Sequence, residues 1–375
     1  VCHLAGRAFD NLNFLDKFLP LKKKQDFRQI LRLAALLHDI GHGPLSHISE
    51  IAMPPLSKLC LPSFKDNTTH EKATHEHYTI KWILESDIKS HIEHLNIDPL
   101  CVAHLINDRI SIPDNNFFTV DGLNFKPLLK QIISSDLDVD RMDYLQRDSY
   151  FCGTDYGFCD HEWILNNLCV HIENQQAFLG IKQKAIYSVE SFLLGRRHIN
   201  LAVYFHKTLV AMDKMLEHYF ASDNCNFHIP VVLDKYLYCT DIALFENLKA
   251  ICHKNEWAKR IIEKKPYEKI YEIQYTELTK NIQMEKLQKL IQLLEKYSIH
   301  FINTHSSDYV TKLYLHDANY APIYIVDEST GSAVPLKERM SFLNQKENIL
   351  LKDRVYISPE NKKHYSREIE NIILT

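Results

Sequence analysis

Apolar residues in the stretch DFRQILRLAALLHDI fall at Phe27, Ile30, Leu31, Ala34, Leu37 and Ile40, the three-and-four spacing of a helix with one buried face. Asp26 is placed to cap it, and Gly41 and Gly43 to stop it. Pro44 then opens a short second helix that sets His47 and Glu50 on one face. HEKATHEHYTIKWILES reads as a further helix capped by Thr74, with His75 in its first turn. More helices are expected around DPLCVAHLIND, through FKPLLKQIISSDLDVDRMDYLQRDSYF, and from Ile186 to about Phe220. Past residue 222 the pattern changes. HIPVVLDKYLY, VTKLYLHDANYAPIYIVDE and ENILLKDRVYIS alternate apolar with polar and are rich in Val, Ile and Tyr, which predicts strands among helices. The fold class expected is mainly α: a helical domain over residues 1–220 and a smaller mixed α/β lobe over 221–375.

Composition narrows this little but removes some classes. Nine glycines in 375 residues are about 2% of the chain against a usual ~7%, which favours long helices over turn-rich β structure. A formal charge of -4 gives no general attraction to nucleic acid or to an anionic membrane, and Lys22, Lys23 and Lys24 form the one tight basic run. Nine cysteines, none in a CxxC pair, do not read as a disulfide framework and suit a reducing cytosol. No apolar run approaches the ~18 residues of a membrane span, so a cytoplasmic location is expected.

Chemistry concentrates in three places. LLHDIGHGPLSH ends a buried helix with His38, Asp39, His42 and His47, where the adjacent His38 and Asp39 offer an imidazole and a carboxylate to one cation. In SSDLDVDRMDYLQRDSYFCGTDYG, Asp140, Tyr144 and Asp148 step by four and Arg141 stands three before Tyr144. Apolar Leu137, Val139, Met142 and Leu145 lie among those charges, so some of them sit close to a core and need partners or a metal. In YSVESFLLGRRHINLAVYFHKTL, Arg196, Tyr204 and Lys207 fall close to one helical face, which can grip phosphate and stack on a sugar or base; a plain solvated face has the same spacing.

Taken in order, LLHDIGHGPLSH, THEHYT, DLDVDRMDYLQRDS and VYFHK resemble the HD-domain phosphohydrolases over residues 1 to about 215, and within them the deoxynucleoside triphosphate triphosphohydrolase branch that includes the sterile-alpha-motif and HD-domain enzymes. The resemblance implies a helical HD-domain fold with a divalent ion (Mn, Mg, Fe, Ni or Zn) on His38, Asp39 and Asp140. It places Arg141 on the phosphates, Tyr144 and Asp148 at the sugar, and Arg196, Tyr204, His206 and Lys207 on the helix that completes a nucleotide pocket. His42, His47 and His75 match histidines around the α-phosphate, with Glu50 orienting His47. His47 is then the expected general acid and His75 the second candidate. Lys182 and Lys184 fall near positions used for effector nucleotides. The family's first metal ligand, a histidine in a segment resembling HSLGV, falls ahead of Val1, and His3 does not occupy its position. The expected activity is release of deoxynucleoside and triphosphate from a nucleotide substrate by a homo-oligomer with no membrane partner. A related phosphohydrolase acting on another nucleotide, a phosphodiester or a guanosine alarmone shares the same metal core. A non-catalytic nucleotide sensor is the reading from another class, and it predicts binding without release of phosphate products.

Overall fold

The computed structural model describes residues 1–61, 64, 71–275, 280–308, 321–340 and 350–374. Its contacts divide the chain into two compact units. One holds Val1–Arg196, Ile229–Leu237 and the described part of Thr311–Ser341; the other holds Arg197–His228 and the described parts of Tyr238–Val310 and Phe342–Thr375. The chain path thus leaves the first unit at Arg196 and re-enters it twice, where the sequence suggested one boundary at residue 220.

The elements run α1 (Cys2–Asp10), α2 (Leu21–Leu37), α3 (His75–Glu85), α4 (Asp87–His94), α5 (Pro99–Ile106), β1 (Thr119–Val120), β2 (Leu123–Asn124), α6 (Lys126–Ile133), α7 (Val139–Cys152), α8 (His161–Asn166), β3 (Leu168–Glu173), β4 (Gln176–Lys182) and α9 (Ile186–Ile199). They continue with α10 (Lys207–Phe220), α11 (Leu233–Tyr236), α12 (Asp241–Ile251), α13 (Glu256–Ile262), β5 (Glu268–Tyr275), α14 (Lys280–Lys296), β6 (Phe301–Asp308), β7 (Tyr324–Val326), β8 (Ala333–Pro335), α15 (Leu336–Arg339), β9 (Leu350–Ile357), α16 (Pro359–His364) and α17 (Ser366–Leu374). The protein is mainly α, as its sequence pattern implies. Among the described residues no helix is long and apolar enough to cross a membrane.

In the first unit α2 packs on α1, α5 and α6. Its apolar face is the one read from the sequence: Phe27, Ile30, Leu31, Ala34 and Leu37 are all buried. Phe27 is enclosed by the rings of Phe117, Phe118 and Phe125 at 6.1, 5.6 and 6.0 Å. Each such ring, buried, stabilises the fold by about 1.5–3 kcal/mol. The sheet of this unit centres on β4, antiparallel to β3 and parallel to β7. Asn174 and Gln175, both with left-handed φ (50° and 60°), make the tight turn joining β3 to β4. In the second unit β9 lies between β5 and β6, antiparallel to both, and α14 and α17 share its core with Ile273, Leu287, Leu290, Leu294, Val355 and Ile369.

Several local expectations are corrected. Helix α2 starts at Leu21 with Pro20 as its cap; Asp26 is internal and pairs with Lys22 at 2.9 Å, and Ile40 lies beyond the helix, 39% exposed. The run from residue 125 to 151 is two helices, because Asp138 folds back to accept from the amides of Ser135 and Arg141 (2.9 and 2.7 Å) and caps α7. The helix from Ile186 to Phe220 is interrupted by a π-helical turn, Asn200–Tyr204, and by His206, whose extended backbone starts α10 afresh. Residues 168–182, between the helices expected up to residue 151 and from Ile186, form the β3–β4 hairpin. HIPVVLDKYLY is not a strand; it contains α11. Of the other two strand regions, Tyr324–Val326 and Leu350–Ile357 are strands, while residues 310–320 and 347–349 lie outside the described residues.

Candidate active site

Helix α2 ends where its chemistry begins. The His38 amide still bonds Ala34 O, and the ring Nδ1 lies 3.1 Å from Ala35 O. A carbonyl only accepts, so Nδ1 is the protonated nitrogen, and in the neutral ring Nε2 is bare. Nε2 is buried and meets no hydrogen-bond donor; its neighbours are Asp39 Oδ2 at 3.5 Å and, from α7, Asp140 Oδ1 at 3.4 Å. Burial lowers the tendency of His38 to protonate, but Asp140, which a protonated ring would bond, and the charges of Asp39 and Asp140 outweigh it, and its pKa rises. A bare imidazole nitrogen and two carboxylates converging on one point are the donor set of a divalent transition ion, and these three residues fit one. They border an open cleft of about 400 Å³ that His3 and Arg147 also line.

The turn after His38 is fixed by close packing. A Cβ on Gly41 would stand 2.1 Å from His75 O and 2.3 Å from Thr79 N, so only glycine lets this turn lie against α3. Thr79 Oγ1 donates to His38 O (2.8 Å) and accepts from Gly41 N (3.0 Å). Neither Gly41 nor Gly43 has a positive φ; Leu45 and Ser46 take the left-handed conformations (57° and 62°) that turn the chain into the 3-10 helix Ser46–Ala52. The glycines therefore serve close approach, not reversal.

That 3-10 helix and the first turn of α3 bring four groups together: His42, His47, Glu50 and His75. Thr74 caps α3 as the sequence indicates, in a capping box with His77. His42 and His75 stack at 3.9 Å with their planes 8° apart, and His47 stands edge-on to both at 4.7 and 4.9 Å. Glu50 Oε1 meets His75 Nδ1 at 2.5 Å and His47 Nδ1 at 3.2 Å. Burial pushes the Glu50 carboxyl up, but the hydrogen bonds with His75 and His47 hold it below its ordinary value. His42 is pushed down to about 4, first by burial and then by the proximity of His75. Asp39 joins the two clusters: its Oδ2 faces His38, and its Oδ1 lies 3.7 Å from His42 Nε2 and 4.0 Å from His75 Nε2.

The other singled-out residues are distributed unevenly. Arg141 lies on α7, largely buried and held by Asp138. Burial alone would lower its pKa, but the charge of Asp138 raises it. Arg196, on α9, is held by the fully buried Asp136 at 3.2 Å. Tyr144 is on α7 with its phenol pushed up by burial, and Asp148, one helical turn further on, neighbours Arg147 at 3.6 Å. Tyr204 closes the π-helical turn and Lys207 opens α10, both in the second unit. Lys182 and Lys184 face the same carboxylate, Glu328, at 2.7 and 3.9 Å. Sequence reasoning missed Asp136, Asp138 and Thr79. For Asp138 a signal existed, since an aspartate just ahead of an amphipathic run is a helix cap; nothing local marks Thr79.

The HD domain family model matches residues 1–148. An uncharacterized protein of Mycoplasma pneumoniae is 35% identical over 188 residues, 50% of this chain and 39% of its own length. The Dictyostelium discoideum protein named deoxynucleoside triphosphate triphosphohydrolase SAMHD1 homolog is 27% identical over 219 residues, 58% of this chain and 37% of its own. The match thus spans about two fifths of these relatives. The crystal structure of a phosphohydrolase from Bacteroides thetaiotaomicron has the same fold, with a TM-score of 0.62 at 20% identity over 95% of this chain and 85% of that one.

Proposed function

We propose that the chain, which matches the HD domain over residues 1–148, is an HD-domain phosphohydrolase that hydrolyses deoxynucleoside triphosphates to deoxynucleoside and inorganic triphosphate. One observation carries the reading: Asp39 turns one carboxylate oxygen to the His38–Asp140 group and the other to the stacked His42 and His75. A cation site and a set of imidazoles are thereby held within one phosphate's width. A divalent ion on His38, Asp39 and Asp140 supplies Lewis-acid screening of phosphate charge and acidifies a water for attack.

The remaining roles belong to the chain. Attack at the α-phosphorus breaks the bond to the nucleoside 5′-oxygen, and that oxygen needs a proton as it leaves. His75 is the acid the geometry favours over His47: Glu50 holds its Nδ1 at 2.5 Å, its side chain is 15% exposed against 71% for His47, and its Nε2 points towards Asp39. His42, kept neutral at pH 7 by burial and by its neighbour, and His47 stabilise charge growing on the phosphate oxygens. Arg141 and Arg196, with Tyr144 and Asp148, orient phosphates and sugar. Support for the deoxynucleotide comes from the named activity of the Dictyostelium relative.

The same reading carries a homo-oligomer, an effector nucleotide at Lys182 and Lys184, a regulatory or assembly role for residues 221–375, and a cytosolic setting that nine free cysteines suit. The test is anion-exchange analysis of products from a panel of deoxynucleoside triphosphates with Mn²⁺ or Mg²⁺. Triphosphate and deoxynucleoside in equal amounts support the reading. Phosphate release from other phosphoesters alone would move the substrate class, and nucleotide binding without any product would make the protein a sensor.

A further inference from the structure

Between two stretches of the second unit the chain makes one short excursion, Ile229–Leu237, that belongs to the first. Its contacts fall on both ends and the middle of the turn that carries the candidate site. Ile229 N donates to Ala52 O at 3.1 Å, at the end of the 3-10 helix. Ile229 Cδ1 packs beside Gly43, only 3.2 Å from where a Cβ would stand. The Tyr236 hydroxyl, buried, donates to Gly41 O at 2.7 Å. The excursion is latched in turn to α3, the helix that supplies His75: Tyr78 OH donates to Pro230 O at 3.1 Å, and the rings of Tyr78 and Tyr236 stack at 4.7 Å. Ile229 and Tyr236 are 3% and 6% exposed, so this is packed structure and not a passing loop.

Two non-glycine residues in succession, Leu45 and Ser46, are left-handed in the turn so held. Such a conformation persists only where the surroundings determine it. We propose that residues 229–237 are a positioning strap, with Tyr236 as the positioning residue: by fixing the Gly41 carbonyl it sets the directions of Asp39 and His42 on either side. It is not among the residues proposed to hold the cation or the phosphates. It acts through the turn, and both of its covalent ends run into the second unit. The consequence for turnover rests on the hydrolytic reading above; the geometry does not.

The test uses the full chain with Tyr236→Phe, which removes one oxygen. Hydrogen–deuterium exchange is followed across residues 38–52, Mn²⁺ affinity by calorimetry, and kcat and KM on the deoxynucleoside triphosphate found to be the best substrate. The expected result is roughly fivefold or faster exchange in that turn with the α5 and α6 amides unchanged, as loss of one buried hydrogen bond implies. With it come a kcat lowered on the order of tenfold and a KM moved by less than about twofold. Tyr78→Phe, which cuts the other latch, should move the same readouts in the same direction. Tyr238→Phe, just outside the strap and 80% exposed, should move none. Unchanged exchange in both latch variants overturns the strap. Faster exchange with wild-type kcat and Mn²⁺ affinity overturns its positioning role, leaving a structural one. If the wild-type protein binds Mn²⁺ yet hydrolyses nothing, the hydrolytic reading fails by itself; the strap is then judged on exchange and Mn²⁺ affinity, and wild-type affinity in Tyr236→Phe sinks it.

Discussion

Replacing Glu50 by Gln removes one negative charge and keeps the size of the side chain. Glu50 Oε1 serves His75 at 2.5 Å and His47 at 3.2 Å, and only the first has the length of a strong, charge-assisted bond. Such a bond to a charged group is worth about 2 kcal/mol, and the longer one about half as much. The two bonds hold the imidazoles in the orientation and tautomer from which a proton can be delivered, so losing them costs the competent arrangement about 2–3 kcal/mol, or roughly 30- to 150-fold in kcat. Glutamine can also offer its amide N–H to the ring nitrogen, which turns the imidazole the wrong way round. The metal trio is untouched, because His38, Asp39 and Asp140 make no contact with Glu50 closer than the shared neighbours His42 and His75. The assay is product release with saturating Mn²⁺ alongside metal content by atomic emission. A variant with wild-type kcat, or one that loses metal and rate together, would refute the division of the site into a cation trio and a proton-handling cluster. The pH dependence of stability has a defined sign. Because the folded Glu50 pKa is depressed, its contribution is fully present above its unfolded value of about 4.3 and is lost as pH falls through the lower folded value. Glu50→Gln should therefore flatten the acid limb of the stability curve and leave the limb above pH 6 unchanged.

Asp39→Ala takes a ligand from the trio and the link to the histidines, so bound metal and turnover should both fall by at least about 100-fold; retained activity would sink the metal assignment. Gly41→Ala forces a Cβ to within 2.1 Å of the His75 carbonyl, a backbone clash that no rotamer relieves. Thermal melts should show a loss above about 2 kcal/mol, several degrees in Tm, and an unshifted Tm would mean that the packing of the turn on α3 is looser than described.

Much of the candidate site was legible in the sequence because its residues are close in sequence and their types are chemical: HD at the end of an apolar-periodic helix, histidines three and eight residues later, and Thr74 as a cap that fixes His75. Helix α2 was legible for a similar reason, since five of its buried positions follow the helical period. What was not legible was non-local. Thr79 is an ordinary threonine until α3 packs on the His38–Gly41 turn, and HIPVVLDKYLY alternates like a strand although its apolar residues are used to cover Tyr78 and Gly43. The 3-10 and π turns at Ser46–Ala52 and Asn200–Tyr204 also escape a reading based on a 3.6-residue period.

The charges around the site argue for an order of binding. Asp39, Asp140 and Glu50 bring three carboxylates to the two clusters, whereas the two arginines expected to meet phosphate are each already matched by a buried aspartate, Arg141 by Asp138 and Arg196 by Asp136. Without a cation these three carboxylates would disfavour a triphosphate, and His42, pushed down to about 4, adds no positive charge at pH 7. On the proposed reading, a divalent ion on the trio would cancel two of the three negative charges beside the α-phosphate. Nucleotide affinity should therefore depend on the ion before any chemistry occurs. Deoxynucleoside triphosphate binding, followed by calorimetry in a divalent ion that does not support turnover, should be at least about tenfold tighter than in chelator, since one unit charge at about 4 Å in an effective dielectric near 20 is worth several kcal/mol before screening. Equal affinity in the two conditions would place the nucleotide away from His38, Asp39 and Asp140, and with it the reaction assigned to them.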